Sequence, residues 1–339
     1  MKSKLTPPHT LIIAEAGVNH NGTLKLALEL CDAAREAGAD VVKFQTFRAE
    51  DVTTASVAEA AYQSDNIGVT ESQQDMLRRL QLPYEDFATL KAHCDDIGIT
   101  FASTACDPKG LDLLVNLKVP FLKIGSSDVT NFLLLEAAGR SHLPVIFSTG
   151  MSTLGEVEAG VRLLERSGCT DLTLLHCTTS YPCPPQDVNL KAMLTLKTAF
   201  GYPVGYSDHT EGLQIPLAAV ALGACVIEKH FTLDRKLPGP DHKASIEPHE
   251  LKELVKEIRA LEQALGDGIK RPTATELEIR EVVEKRLVAA CPISAGEIFN
   301  ADNIVVKRST SGLSATQYHK LLGSISPRDF AADEGIVLP

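Results

Sequence analysis

Short apolar runs recur along the chain, separated by stretches with helical periodicity. Eight of the runs read as strands: LIIAEAG (11–17), DVVKFQTF (40–47), ITFASTA (99–105), VPFLKIGSS (119–127), PVIFSTGM (144–151), LTLLHCTTS (172–180), PVGYSDHT (203–210) and ACVIEKHFT (224–232). Most are apolar at consecutive positions, as strands buried on both faces are. The first is followed by TLKLALELCDAAREAG, which predicts a helix with Leu26, Leu28, Leu30 and Ala33 on its apolar side and a stop at Gly38. Later pairs enclose KGLDLLVNL, FLLLEAAGR, LGEVEAGVRLLERSG, LKAMLTLKTAF and GLQIPLAAVALG. Strand–helix alternation predicts a parallel sheet covered on both faces. Eight such units in about 265 residues favour an α/β fold closed into a (β/α)8 TIM barrel over an open doubly wound sheet. No GxGxxG or Walker-type loop follows the first strand, which argues against nucleotide binding.

The polar stretch from Arg48 to about Glu71 interrupts this rhythm and reads either as a lid or as a surface loop. After the eighth strand, EPHELKELVKEIRALEQALG predicts a final amphipathic helix, and GDGIKRPTATELEIR has the polar, Gly- and Pro-bearing character of a linker. The rest is β-rich. The division expected is a barrel over 1–268, a linker over 269–282 and a small domain over 283–339.

Composition narrows the function. The net charge is −11, which argues against a nucleic-acid surface but leaves room for a cationic pocket. No apolar run approaches the roughly 20 residues of a membrane helix, and the short LIIAEAG run does not make a signal peptide. The expectation is a cytoplasmic protein without a membrane partner. The eight cysteines form no CxxC pair and read as small buried apolar residues.

Polar residues gather at the ends of the strands: Glu15 on the first, Lys43 and Gln45 on the second, Ser103 and Thr104 on the third, and Lys123, Ser126 and Asp128 on the fourth. Ser148, Thr149 and Gly150 end the fifth, His176 and Tyr181 follow the sixth, Ser207, Asp208 and His209 follow the seventh, and Glu228 and His230 lie on the eighth. In a closed barrel such positions face one mouth, where active sites form. Charges buried there are costly unless paired or ligating. His209 and His230, on neighbouring strands about 5 Å apart, can reach one cation; two imidazoles suit Mn²⁺, Co²⁺ or Zn²⁺, and Mg²⁺ less naturally. His176 and His20 read as packed, hydrogen-bonded histidines. Lys43 and Lys123, with Ser126, Ser148 and the Gly150 backbone, form a cradle for phosphate or carboxylate, unless each lysine is neutralised by a carboxylate such as Glu15.

In that order, IIAEAGVNHNG, VVKFQTF, LKIGSSD, FSTGMST, LLHCTTSYPCP, GYSDHTEG, IEKHFTLD and GPDHKASIEP closely resemble the sialic acid synthase family, and ISAGEIFNADNIVVKR resembles its antifreeze-like SAF domain. The resemblance implies an enzyme condensing phosphoenolpyruvate with an N-acetylated amino sugar. It also implies a homodimer in which the SAF domain of one subunit covers the barrel of the other. A divalent metal, Mn²⁺ first and Mg²⁺ or Co²⁺ next, falls on His209 and His230. Phosphoenolpyruvate falls to Lys43, Thr104, Lys123, Ser126, Ser148, Gly150, Met151 and Ser207, and the sugar to Gln45, Tyr181, Asp241 and Arg308. Glu15 and Asp128 match residues with catalytic roles. Three departures stand out: Asp128 where Glu is common, Thr179 where Asn is common, and Ser-Thr-Ser-Gly after Arg308.

The chemistry expected is attack of phosphoenolpyruvate C3 on the sugar aldehyde, polarised by a bound cation. Charge developing at C2 is stabilised by Glu15 and Asp128, water adds at C2, and phosphate leaves by C–O cleavage. The sugar read first is N-acetylmannosamine, giving N-acetylneuraminate. The alternative is 2,4-diacetamido-2,4,6-trideoxymannose, the substrate of a legionaminic acid synthase. A Schiff-base aldolase and a non-catalytic sugar-binding protein are the rivals from other classes.

Overall fold

Eight parallel strands pair in chain order: β1 (Leu11–Gly17), β2 (Val41–Thr46), β3 (Thr100–Ala105), β4 (Leu122–Ile124), β5 (Val145–Ser148), β6 (Leu172–Cys177), β7 (Val204–Asp208) and β8 (Val226–His230). The barrel closes where Glu15 on β1 lies in register with His230 on β8. This computed structural model describes residues 9–58, 63 and 71–339.

Successive side chains of a strand point to opposite faces, and each face here has its own job. The outward set, including Ile12, Val42, Phe44, Phe147 and Ile227, packs beneath the helices in the main core. The inward set divides along the barrel axis. Ile13, Val41, Ala102, Phe121, Ile146, Leu175 and Val226 form a separate apolar cluster that plugs the barrel. Two residues further along each strand, roughly 7 Å higher, the same face carries Glu15, Lys43, Thr104, Lys123, Ser148, Cys177 and Glu228. On β7 the pair is Gly205 then Ser207. A Cβ on Gly205 would lie 2.4 Å from the Val226 carbonyl oxygen and 2.7 Å from Leu175 Cδ2, so the plug leaves no room for a side chain there.

The first helix, Leu24–Ala37, ends as expected at Gly38, whose left-handed φ of 86° lets its N–H reach back to helix carbonyls. Its buried face differs from the expected stripe. Ala27, Leu30, Cys31, Ala34 and Ala37 are buried, while Leu26, Leu28 and Ala33 are half-buried. The 3.6-residue period selects the small residues, which let the helix sit close to the sheet. Several strands are also shorter than their apolar-to-polar runs. β4 is three residues long because the chain leaves the ladder at Gly125 for a 3₁₀ turn over Ser126–Asp128. Beyond β5, Met151 takes a left-handed φ of 61°.

Of the stretch between Arg48 and Glu71, a short helix Ala49–Val52 and an isolated bridge between Ala58 and Ser72 are described. The remainder of the lid-or-loop reading falls on 59–62 and 64–70, outside the described residues.

The chain divides at Gly266 into two units. The second begins with helix Ala274–Val283, within the stretch that reads as a linker, and continues with the antiparallel pair β9 (Lys285–Ala289) and β10 (Ile304–Arg308). Leu287, Ile293, Phe299, Ile304, Phe330 and Ile336 give it a core of its own. Among the described residues, no helix is long and apolar enough to cross a membrane.

Candidate active site at the carboxyl end of the barrel

The polar layer above the plug is a network of opposite charges. Lys43 Nζ lies 2.6 Å from Glu15 Oε2, donates to Thr104 Oγ1 at 2.8 Å and stands 3.8 Å from Glu228 Oε2. Lys123 Nζ is 3.7 Å from Glu228 Oε1 and donates to Ser148 Oγ at 2.7 Å. Ser207 Oγ donates to Glu228 Oε1 at 3.1 Å, and Gln45 Nε2 to Glu15 Oε1 at 3.1 Å. The two ammonium groups thus share one cavity, and carboxylates lie against both.

Glu228 is the residue to which sequence reasoning gave no role. It bridges the two lysines, and its Oε2 is buried without a hydrogen-bond donor. The signal for it was the period of two, which turns Glu228 and His230 inward and Lys229 outward.

Burial sets the electrostatics. It raises the Glu15 carboxyl to about 7, against the pull of the Lys43 ammonium. Burial also holds Lys123 below its ordinary value. For Lys43, burial is outweighed by Glu15 and Glu228, and the ammonium is held above its usual range. Burial of Glu228 is likewise outweighed by Lys123 and Lys43, which keep it ionised. Removing an ion from water costs several kcal/mol after relaxation, so a network this dry adds little to the stability of the fold, and clusters of this kind are concentrated at functional sites.

One step above this layer stand the two histidines, with ring centroids 5.3 Å apart. His209 Nδ1 meets the Thr178 carbonyl oxygen at 2.7 Å, which as a donor to that oxygen leaves Nε2 facing outward from the bond. His230 Nδ1 is buried without a hydrogen-bond partner, 3.8 Å from Asp241 Oδ2. Burial drives His230 well below its ordinary value, so its ring is neutral. Burial would do the same to His209 but is outweighed by Cys177 and the Thr178 carbonyl, which hold it above its ordinary value. Burial raises the Asp241 carboxyl to about 6. An orphaned imidazole nitrogen beside an oriented second imidazole fits a divalent cation that completes its shell with water and substrate oxygens. Among the described residues, no group of three or more His, Cys, Asp or Glu side chains is placed to hold a metal.

On the outer face, a buried clamp backs both histidines. Lys229 Nζ donates to Asp208 Oδ2 at 2.5 Å and to the Thr210 carbonyl at 2.7 Å, and Asp208 Oδ1 accepts from Thr210 N and Oγ1.

The cavity enclosed by these groups has a volume of about 190 Å³. Its lining includes Glu15, Lys43, Gln45, Thr104, Lys123 and Ser126. Ser148, Met151, Tyr181, Ser207, His209 and His230 complete the expected set found there. The Tyr181 ring lies 4.1 Å from that of His209. Four expected residues lie outside the lining. Asp128 is buried beside it, accepting from Asn131 Nδ2 at 2.9 Å and Ser127 Oγ at 3.3 Å. Gly150 contributes its N–H to Ser126 Oγ at 2.9 Å. Asp241 is buried 3.8 Å from His230 Nδ1, and Arg308 is exposed at the end of β10 in the second unit. Strand-end residues on the outward face also stay out. Ser103 pairs with Thr46 at 2.7 Å, and Asp208 belongs to the clamp. His176 bonds the Val188 carbonyl at 2.7 Å, and His20 accepts from Gly22 N at 3.1 Å, as packed histidines do. Cys31, Cys94, Cys169, Cys177 and Cys183 are buried as expected, whereas Cys106 and Cys225 are half-buried and Cys291 is exposed; Cys106 and Cys177 line the cavity.

A model of the NeuB family matches residues 30–270, and one of the SAF domain matches residues 285–339. The N,N'-diacetyllegionaminic acid synthase of Campylobacter jejuni is 47% identical over 96% of this chain and 98% of its own. The enzyme of the same name from Legionella pneumophila is 45% identical over 92% of this chain and 89% of its own. Among solved structures, the N-acetylneuraminic acid synthetase of Leptospira borgpetersenii, crystallised with citrate, superposes with a TM-score of 0.71. It is 39% identical and covers 80% of this chain and 90% of its own.

Proposed function

Because the chain belongs to the NeuB family, we propose that it is a nonulosonic acid synthase acting on 2,4-diacetamido-2,4,6-trideoxymannose. It would condense that sugar with phosphoenolpyruvate to give N,N'-diacetyllegionaminic acid and phosphate. The observation that carries the choice of sugar is the order of likeness. Two legionaminic acid synthases share more of this sequence than the N-acetylneuraminic acid synthetase does. N-Acetylmannosamine, the sugar read first from the motifs, accordingly gives way to the diacetamido sugar.

The residues divide the work by layer. Lys123, Ser148 and Ser126 bind the phosphate end of phosphoenolpyruvate, and Lys43, Thr104 and Ser207 its carboxylate. The arriving anion takes over part of the charge that Glu228 otherwise balances. Glu15 faces the enol carbon, and its carboxylate stabilises positive charge developing at C2. Asp128 is the second carboxylate assigned to that step, through the water that adds at C2. His209 and His230 hold the divalent cation, which when bound supplies a Lewis acid to the sugar carbonyl. Gln45, Tyr181 and Asp241 orient the sugar chain. Holding two substrates in one register contributes roughly 7 kcal/mol or more in favourable cases. A homodimer, with Arg308 serving the sugar's acetamido group in the partner, belongs to the same proposal; sedimentation and Arg308→Ala kinetics test it.

Phosphate release is measured with each sugar in turn, with Mn²⁺ and with EDTA. The proposal expects faster turnover of the diacetamido sugar and loss of activity in EDTA. Preference for N-acetylmannosamine would overturn the choice of sugar. Chelator resistance together with trapping of the enzyme by borohydride would point instead to a lysine Schiff base.

A further inference from the structure

Beside the catalytic cavity lies a larger one of about 590 Å³, and Met151, Cys177 and Thr179 line both. The catalytic cavity alone, at about 190 Å³, falls below the roughly 300–1,000 Å³ of ordinary small-molecule sites. It must nevertheless serve phosphoenolpyruvate and a six-carbon sugar together. Part of the sugar has to lie outside it, and the adjoining cavity offers the room.

The chemistry of that cavity is selective. Its lining draws on the ends of β5 and β6 and on helices Leu154–Ser167 and Ala192–Phe200. Leu154, Val157 and Leu196 supply apolar surface, while Thr178, Asn189 and Thr195 supply hydroxyl and amide groups. Lys191 is its one ammonium, and no Asp or Glu is among its described lining residues. A phosphate calls for several charge-assisted donors, so this lining suits an uncharged group. An acetamido substituent matches it: a methyl for the apolar side, and a carbonyl and N–H that must find partners when buried. The threshold is formed by two exposed residues, Met151 and Thr179. Met151 is 70% exposed at its left-handed turn, and Thr179 Oγ1 lies 2.4 Å from where a Cβ on Gly150 would stand. Gly150 therefore allows Thr179 to sit against the strand end.

We infer that this side cavity is the subsite for the acetamido group at C4 of the sugar, entered past Thr179 and Met151. The inference deepens the substrate reading above and rests on it. It makes Thr195 and Ala192, far from the reacting carbons in the chain, determinants of sugar choice.

The test compares kcat/KM for the diacetamido sugar and for N-acetylmannosamine in the wild type, Thr195→Trp and Ala192→Phe. Thr195 is exposed on its helix, so its replacement spares the core, and a melting curve verifies that each variant is folded. Filling the cavity is expected to lower the ratio of diacetamido to monoacetamido turnover by about tenfold or more. KM for phosphoenolpyruvate should stay where it was. A ratio within twofold of the wild type in both variants would overturn the subsite while leaving the substrate reading intact. Failure of the substrate reading appears separately, as a wild-type ratio below one. In that case a tenfold fall in the variants still supports the subsite, and an unchanged ratio overturns it.

Discussion

Two adjacent layers of the same barrel obey opposite rules. The plug is apolar throughout, and Gly205 shows how tightly it is filled. The layer two residues higher buries two lysines and two glutamates as completely as the plug buries its aliphatic chains. The first layer lowers the energy of the fold by removing apolar surface from water. The second recovers only part of what desolvation costs it, and under the proposed function that cost keeps a set of charges in place for an anion. The scaffold for chemistry is thus set by a single step along each strand.

Substitutions in the two layers should have opposite consequences. Phe121→Ala, in the plug, is expected to lower stability by about 3–5 kcal/mol in urea unfolding, with kcat/KM within a few-fold of wild type where the variant is folded. Lys123→Ala, two residues on, should reverse the pattern. The catalytic efficiency with phosphoenolpyruvate should fall by roughly 10²–10³, with a much smaller change in stability than Phe121→Ala. An unchanged apparent affinity for phosphoenolpyruvate would remove Lys123 from the cradle.

A third substitution tests whether the outer face contributes to the site. Lys229→Met opens the clamp behind the histidines without touching the cavity. Mn²⁺ affinity, read by electron paramagnetic resonance, should fall by about 10–100-fold, with phosphoenolpyruvate binding little changed. Equal Mn²⁺ affinity would leave the clamp a purely structural feature. The smallest expected effect is on pH. Burial raises Glu15 to about 7, so in the free enzyme it is protonated below that pH and charged above it. If its charge is what serves the enol carbon, kcat/KM should climb as pH rises through about 7, by up to tenfold per unit on the acid side. Glu15→Gln should flatten that limb. A limb that survives in the variant belongs to another group.

Most of this arrangement can be read from the chain before the fold is known. Near-continuous apolar runs divided by helical periods lead to the barrel, and polar residues at strand ends lead to its mouth. What the runs hide is where each strand stops. Gly125 and Met151 turn the chain out of the ladder, although their neighbours still look like strand. They also hide partnership. Ser207, Asp208 and His209 are consecutive, and so are Glu228, Lys229 and His230, yet the middle member of each trio turns outward to join a clamp. Glu228 therefore looked like one strand-end acid among several, when it is the link between two ammonium groups. The sugar is the least legible part, because the side cavity is assembled from loops and two helices whose residues, such as Thr195, carry no chemical signal of their own.

Whether condensation at the barrel mouth proceeds with C–O cleavage is decided by the fate of the bridging oxygen of phosphoenolpyruvate. With ¹⁸O at the C–O–P position and the diacetamido sugar as acceptor, mass spectrometry should find the label in the released phosphate. Unlabelled phosphate would show that the P–O bond breaks instead, and the roles given to Glu15 and Asp128 at C2 would fall together.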